Sequence, residues 1–179
     1  RVLERGSFNT PVSIEGDPQP SDKEDVYLID QESIQFEDGG PGNDWAVFRF
    51  KANEHTGKLP GTVQGHYNIA SEDVKRGAKV RITGYGIDSE DPKRHFAQQT
   101  HDGDVTLAGG ILRESLLEHT VDTMGGNSGS SIIEEESQEI VGIHTHGGCG
   151  FFGANKGTMI NRHEKLKAAI KACLDSELE

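Results

Sequence analysis

Residues 125–130 read Gly125-Gly126-Asn127-Ser128-Gly129-Ser130, and this hexapeptide limits the fold more than any other stretch. Three glycines in six residues do not sit inside a helix, because each gives up more backbone freedom there than any other residue. They suit a tight turn between strands. On such a turn a serine hydroxyl can face solvent while nearby backbone N–H groups aim at one point, as an anion-stabilising site requires. The remaining sequence points the same way. Gly is abundant at 23 residues and aromatics are scarce at 6%. Many short strands joined by turns fit that composition better than a helix bundle does.

The strand and turn signals run along the whole chain. Residues 10–24 are rich in Pro, Ser and acids and predict an exposed loop. Residues 36–43, Phe-Glu-Asp-Gly-Gly-Pro-Gly-Asn, predict a turn, and Asp44 to Phe50 a strand. Residues 51–62 read as loop. Residues 79–86, Lys-Val-Arg-Ile-Thr-Gly-Tyr-Gly, alternate and then bend at glycine, and a further strand is expected near 105–112. Ser131 to Ile133 and Glu139 to His144 flank Glu134-Glu135-Glu136, which predicts a hairpin with a solvated tip. Leu166, Ala169, Ile170, Cys173 and Leu174 recur with helical spacing. Asn161 is the expected N-cap, with Glu164 completing a capping box. No internal repeat and no βαβ alternation is present.

Bulk properties exclude some functions. A net charge of −12 disfavours nucleic acid and anionic membranes as partners. No run approaches the ~18 apolar residues of a membrane-spanning helix. Cys149 and Cys173 allow one disulfide at most and suit either redox compartment. His144-x-His146 with Cys149 and His163 matches no zinc signature, and His163-Glu164 lacks the second His of a zincin motif. Neither metal nor cofactor is expected.

Ser128 is a candidate nucleophile, and a serine needs a base to take its proton. A nucleophile elbow is disfavoured, since Ser130 stands where that motif has its last Gly and no strand–turn–helix surrounds it. The order Asn43-Asp44, Thr83-Gly84-Tyr85-Gly86, Gly125 to Ser130, Val141-Gly142-Ile143-His144-Thr145-His146-Gly147-Gly148 and a terminal helix resembles the chymotrypsin-like serine peptidases. Within them it is most similar to the bacterial glutamyl-endopeptidase (V8-like) branch.

That resemblance implies an all-β double barrel with a C-terminal helix. Residues 1–75 would form a partial N-terminal barrel carrying Asp44, and residues 76–179 the C-terminal barrel with Ser128. It implies Ser128 as nucleophile, Asp44 as the carboxylate orienting a catalytic His, and the N–H groups of Gly126 and Ser128 as oxyanion hole. Thr145, His146 and Gly147 would pair with an extended substrate. Two specificity readings stay open. Asp122 has the spacing of an acid that binds Arg or Lys, whereas Thr123 and His144 match a pair that binds a substrate carboxylate. The second is favoured by the string around His144, and Asp122 would then turn out of the pocket. Asn127, where trypsin has an Asp, argues against activation by a freed N-terminus.

The departure from the family is the base. All eight histidines (His55, His66, His95, His101, His119, His144, His146 and His163) follow Asp44, whereas the family's catalytic His precedes it. Three accounts fit: a chain beginning just after that His, a degenerate homologue, or substitution by a downstream His. His55 is the nearest, but it lies on a loop leading away. The first account agrees with a start at Arg1 without Met. It implies that the fragment alone is nearly inactive and has open strand edges, which its own missing N-terminal segment would cover. The expected partner is otherwise a peptide or protein substrate. The alternative function is a catalytically dead peptide-binding module on the same fold.

Overall fold

A computed structural model describes residues 3–88, 90–148 and 153–175. Ten strands and two helices follow in order: β1 (Arg5–Ser7), β2 (Val26–Leu28), β3 (Gln35–Asp38), β4 (Asp44–Val47), α1 (Pro60–Gln64), β5 (Lys79–Gly84), β6 (Gln99–Ala108), β7 (Leu116–His119), β8 (Ser131–Glu134), β9 (Ile140–His146), β10 (Asn155–Met159) and α2 (Glu164–Asp175). No helix of the described residues is long and apolar enough to cross a membrane.

Strands β5 to β10 close into an antiparallel barrel in the order β10-β7-β6-β5-β8-β9. Period-two alternation builds its interior. Val80 and Ile82 of β5 point inward, joined by Val105, Leu117, Ile132, Val141 and Met159, while Lys79 and Arg81 face out. Ala70 and Val74, ahead of β5, also belong to this core. Closure leaves the barrel no open edge.

The N-terminal part contains two separate antiparallel ribbons, β1–β2 and β3–β4. Phe8, Tyr27, Phe48 and Phe50 pack edge-to-face between them, and Ile29 bridges to Phe50. A second core cluster ties β4 to the end of the chain. Trp45, Ile160, Leu166 and Ala169 are buried together, with Val47, Ile140, Ile143 and Ile170 around them. Trp45 is thus the joint between the N-terminal ribbons and α2.

Several local expectations change. Residues 36–38 lie in β3, and the turn is confined to 39–43, where Gly39 N–H donates to Asn43 O at 2.7 Å. The strand expected near 105–112 is Gln99–Ala108; Ile111 and Leu112 stand fully exposed on the turn after it. Apolar character misled here, because Gly109 at φ +81° ends the strand first. Residues 51–62 are not all loop, since α1 starts at Pro60, a favoured first helical position. Glu135 in the acidic tip is paired with Arg81 at 3.1 Å rather than merely solvated. Asn161 does not cap α2: the helix starts three residues past it, at Glu164, and Leu166 N–H donates to His163 Nδ1 at 3.2 Å. Leu174 is exposed and Cys173 half-buried, so the apolar face of α2 ends near Ile170. Cys149 lies outside the described residues.

Leu166→Ala empties a fully buried position beside Trp45. It is expected to cost about 2–5 kcal/mol, read as a lower urea midpoint, with a red shift of the Trp45 emission before global unfolding.

Candidate active site

The loop from Met124 to Ser130 is held from three sides. Asn127 N–H donates to Met124 O (3.2 Å) and Ser130 N–H to Asn127 O (3.1 Å), making two successive turns. Gly129 N–H donates to His144 O (2.8 Å) and His144 N–H to Ser130 O (2.9 Å), which fastens the loop to β9. Ile87 N–H donates to Gly125 O at 2.8 Å, which fastens it to the end of β5. Gly126 has φ +101°, a conformation that L side chains rarely adopt.

The Asn127 amide explains the Thr83-Gly84-Tyr85-Gly86 string. A Cβ on Gly84 would collide with Asn127 Oδ1 and lie 2.8 Å from Ser130 Oγ, and one on Gly86 would lie 2.7 Å from Asn127 Nδ2. The two glycines admit the side chain that pins the serine loop. Ser128 at its apex is exposed, and its Oγ donates to Thr145 O at 3.0 Å. The N–H groups of Gly126 and Ser128 donate to no described residue.

Asp44 opens β4 and is fixed by a residue that sequence reasoning missed. Thr158, fully buried on β10, accepts from Asp44 N–H at 3.2 Å and donates to Asp44 O at 2.8 Å. One hydroxyl satisfies both backbone groups across the two halves of the molecule. Asp44 and Ser128 line one cavity of about 580 Å³, shared with Trp45, Ala46, Ile143 and Thr145. No histidine is among its lining residues.

The remaining sequence candidates lie just before the serine loop and on β9 and its end. Asp122 is exposed, whereas Thr123 is half-buried with an Oγ1 that is enclosed and has no hydrogen-bond partner. His144 is 2% exposed on β9. Past Ile143, β9 has no strand partner on its β8 side, and Thr145 sits at the bulge where the register with β10 shifts. Thr145 Oγ1 lies 2.8 Å from His146 Nδ1, and Gly147 is exposed just beyond the strand. Asn155 ties this edge to the opposite wall, accepting from Gly148 N–H and donating to Val121 O, both at 2.7 Å.

His119, not singled out from the sequence, stands behind His144. It is fully buried, and its Nε2 is 3.2 Å from His144 Nδ1. Burial pushes His119 down to about 4, with His144 adding repulsion. His144 is also lowered, by burial first and by His146 second. Both rings are therefore neutral at pH 7. His144 is thus a neutral hydrogen-bonding ring. The alternation Leu117–His119 on β7 was the available signal, since it places His119 on the inward face. Among the described residues no group of three or more His, Cys, Asp or Glu could hold a metal ion.

No family profile matches the sequence. The glutamyl endopeptidase of Staphylococcus epidermidis is 29% identical over 146 residues, covering 79% of this chain and 47% of that protein. This chain thus spans about half the length of the curated relatives it matches. Among solved structures, a Glu endopeptidase in complex with MPD superposes with TM-score 0.68 and 22% identity, over 94% of this chain and 71% of the other. In sequence this chain is similar to the glutamyl endopeptidases (the V8-like branch), and its fold is that of the chymotrypsin-like serine peptidases. A thermostable serine protease, AL20, from an extremophilic microorganism has the same fold at TM-score 0.60 and 13% identity, over 88% and 74% of the two chains. The all-β fold, with one closed barrel, an incomplete N-terminal barrel and a C-terminal helix, is that of this family.

Two outcomes follow. Gly84→Ala drives a methyl group into Asn127 and Ser130. It is expected to cost roughly 1–3 kcal/mol, and amide exchange should rise at residues 125–130 more than in the barrel core. The second concerns pH. His119 is neutral when folded but protonates near 6.5 when unfolded, so the unfolded chain binds more protons between those values. Stability from this ring is complete above about pH 6.5 and falls as pH drops towards 4, by on the order of 3 kcal/mol. His119→Leu should flatten the dependence of urea midpoint on pH over that window.

Proposed function

We propose that this chain carries the nucleophile, the orienting carboxylate and the oxyanion donors of a serine endopeptidase. The observation behind this reading is that Asp44 and Ser128, from opposite halves of the molecule, line the same cavity. An imidazole there would take the proton of Ser128 Oγ, with Asp44 fixing its orientation. We assign that base to a part of the protein outside these 179 residues, because no described histidine lines the cavity. In this proposal residues 1–75 and 76–179 are the two domains whose cleft holds the site.

The reaction then runs in two steps. Ser128 Oγ attacks the substrate carbonyl as its proton passes to the base. The N–H groups of Gly126 and Ser128 receive the resulting negative oxygen, each such donor being worth about 3–4 kcal/mol in the transition state. The amine leaves with the proton, and water hydrolyses the acyl-enzyme. The substrate backbone lies against Thr145 to Gly147.

The pocket reading favours an acidic side chain. Thr123 Oγ1 is enclosed and unpartnered, and His144 donates from Nε2 when its Nδ1 accepts from His119. Asp122 is exposed, which fits its turning away from the pocket and weakens the Arg/Lys alternative.

A fluorophosphonate probe should label Ser128 in the natural protein, and Ser128→Ala should abolish labelling. In the 179-residue chain labelling should be slow, and added imidazole should accelerate it on the order of a hundredfold. No labelling of the folded natural protein would refute the catalytic reading in favour of a peptide-binding module. Peptides with Glu before the cleaved bond should show higher kcat/KM than Lys counterparts, and His144→Leu should remove most of that preference.

A further inference from the structure

Asp44 shares a cavity with Ser128 only if β4 lies where it does, and the residue after Asp44 belongs to a polar cluster at the border of that cavity. Trp45 Nε1–H donates to Glu37 Oε2 at 3.3 Å. Lys165 Nζ donates to Glu37 Oε1 at 2.9 Å. The His163 ring packs edge-on against Trp45, with centroids 5.7 Å apart. His163 is 6% exposed and uses its two nitrogens differently. Nδ1 accepts from Leu166 N–H at the start of α2, so the neutral ring carries its proton on Nε2. That Nε2 is enclosed without a hydrogen-bond partner, 3.6 Å from Glu37 Oε2.

The two nitrogens make the ring a two-position element. A second proton must go on Nδ1, where it meets the Leu166 N–H head-on and the cap is lost. The charged ring is at the same time drawn across the remaining gap to Glu37. We propose that Glu37 and His163 are positioning residues for Asp44: a neutral His163 caps α2 and holds Trp45, and protonation releases the cap, pulls the ring to Glu37 and shifts β4. This inference rests on reading Asp44 as the orienting carboxylate.

The surroundings set the direction of the response. Glu37 on β3 favours the charged ring, while Lys165 on α2 opposes it and itself holds Glu37. Arg162 and Glu164 flank a small cavity beside His163 and Glu37, but Arg162 is paired with Asp73 and Glu164 with Lys167. Burial holds His163 below the ordinary histidine range, against the pull of Glu37. The Lys165 hydrogen bond holds Glu37 below the carboxylate range. The capped state therefore prevails at pH 7 and is lost on the acid side.

Trp45 is the only tryptophan, so its fluorescence reports on the ring beside it. In wild type the emission should titrate with a midpoint below about 6.5. The step should vanish in His163→Asn and His163→Ser, both good N-caps, and move to lower pH in Glu37→Gln. The Asp44 amide, followed by 1H–15N NMR, should shift with the same midpoint and lose that step in both His163 variants. A flat Trp45 signal in wild type, or an Asp44 step unchanged in the variants, overturns the proposal. Ser128 labelling in the natural protein, which falls in acid as its own base protonates, should show an additional loss at the Trp45 midpoint in wild type that is missing in His163→Asn. If Trp45 and Asp44 titrate together while Ser128 is labelled at no pH, the clamp stands and the peptidase reading fails.

Discussion

The arrangement of the cleft depends on how Trp45 is seated. It leaves the N-terminal ribbons and enters a pocket made by α2, Ile160 and the flank of β9. Truncating a buried aromatic of this size typically costs about 3–5 kcal/mol. The Lys165–Glu37 pair beside it is open to solvent on the lysine side and is screened there, so it adds little as an ion pair. Apolar burial therefore supplies the adhesion, and the polar groups around it set the angle. The Thr158 hydroxyl completes the joint by pairing with both backbone groups of Asp44. Ser128 needs no such joint, since its loop is built wholly on the closed barrel.

The two sides of the cleft thus differ in kind. The serine loop is bonded to the end of β5 and to β9, and its Asn127 fills a notch that only glycines leave open. Moving it means disturbing a barrel whose strands are all paired. The carboxylate side rests on a four-residue strand in a two-stranded ribbon, docked through one large side chain. Any adjustment of the site would come from that side.

Buried imidazoles recur around the site. His119, His144 and His163 are each under a tenth exposed, and burial lowers all three. Enclosure makes the charged form costly, so each ring acts through which nitrogen carries its single proton. For His144 that question is coupled to His119, since only one of the two facing nitrogens can donate, and for His163 it is set by the first turn of α2. Neutral rings aimed by their neighbours give direction to hydrogen bonds without placing charge in the core.

Strand periodicity, glycine turns and the terminal apolar stripe made the barrel and helix legible in the one-dimensional chain. The Ser128 loop was legible too, because glycines flanking a serine constrain backbone geometry wherever they occur. The partners supplied by distant strands were not: Thr158 looks like any strand threonine, and His119 like any histidine on an alternating segment. Their importance comes from what faces them across the barrel. Asn161 and His163 show the same limit at short range. Asparagine is the better capping residue by intrinsic preference, yet α2 begins after His163, where Trp45 and Glu37 close around the ring. Local preferences act between neighbours along the chain, so the sequence alone determined the turns, the strands and the setting of Ser128. The shared cavity of Asp44 and Ser128 and the pairing of His119 with His144 depend on contacts between residues far apart in sequence, and only the tertiary structure decided them.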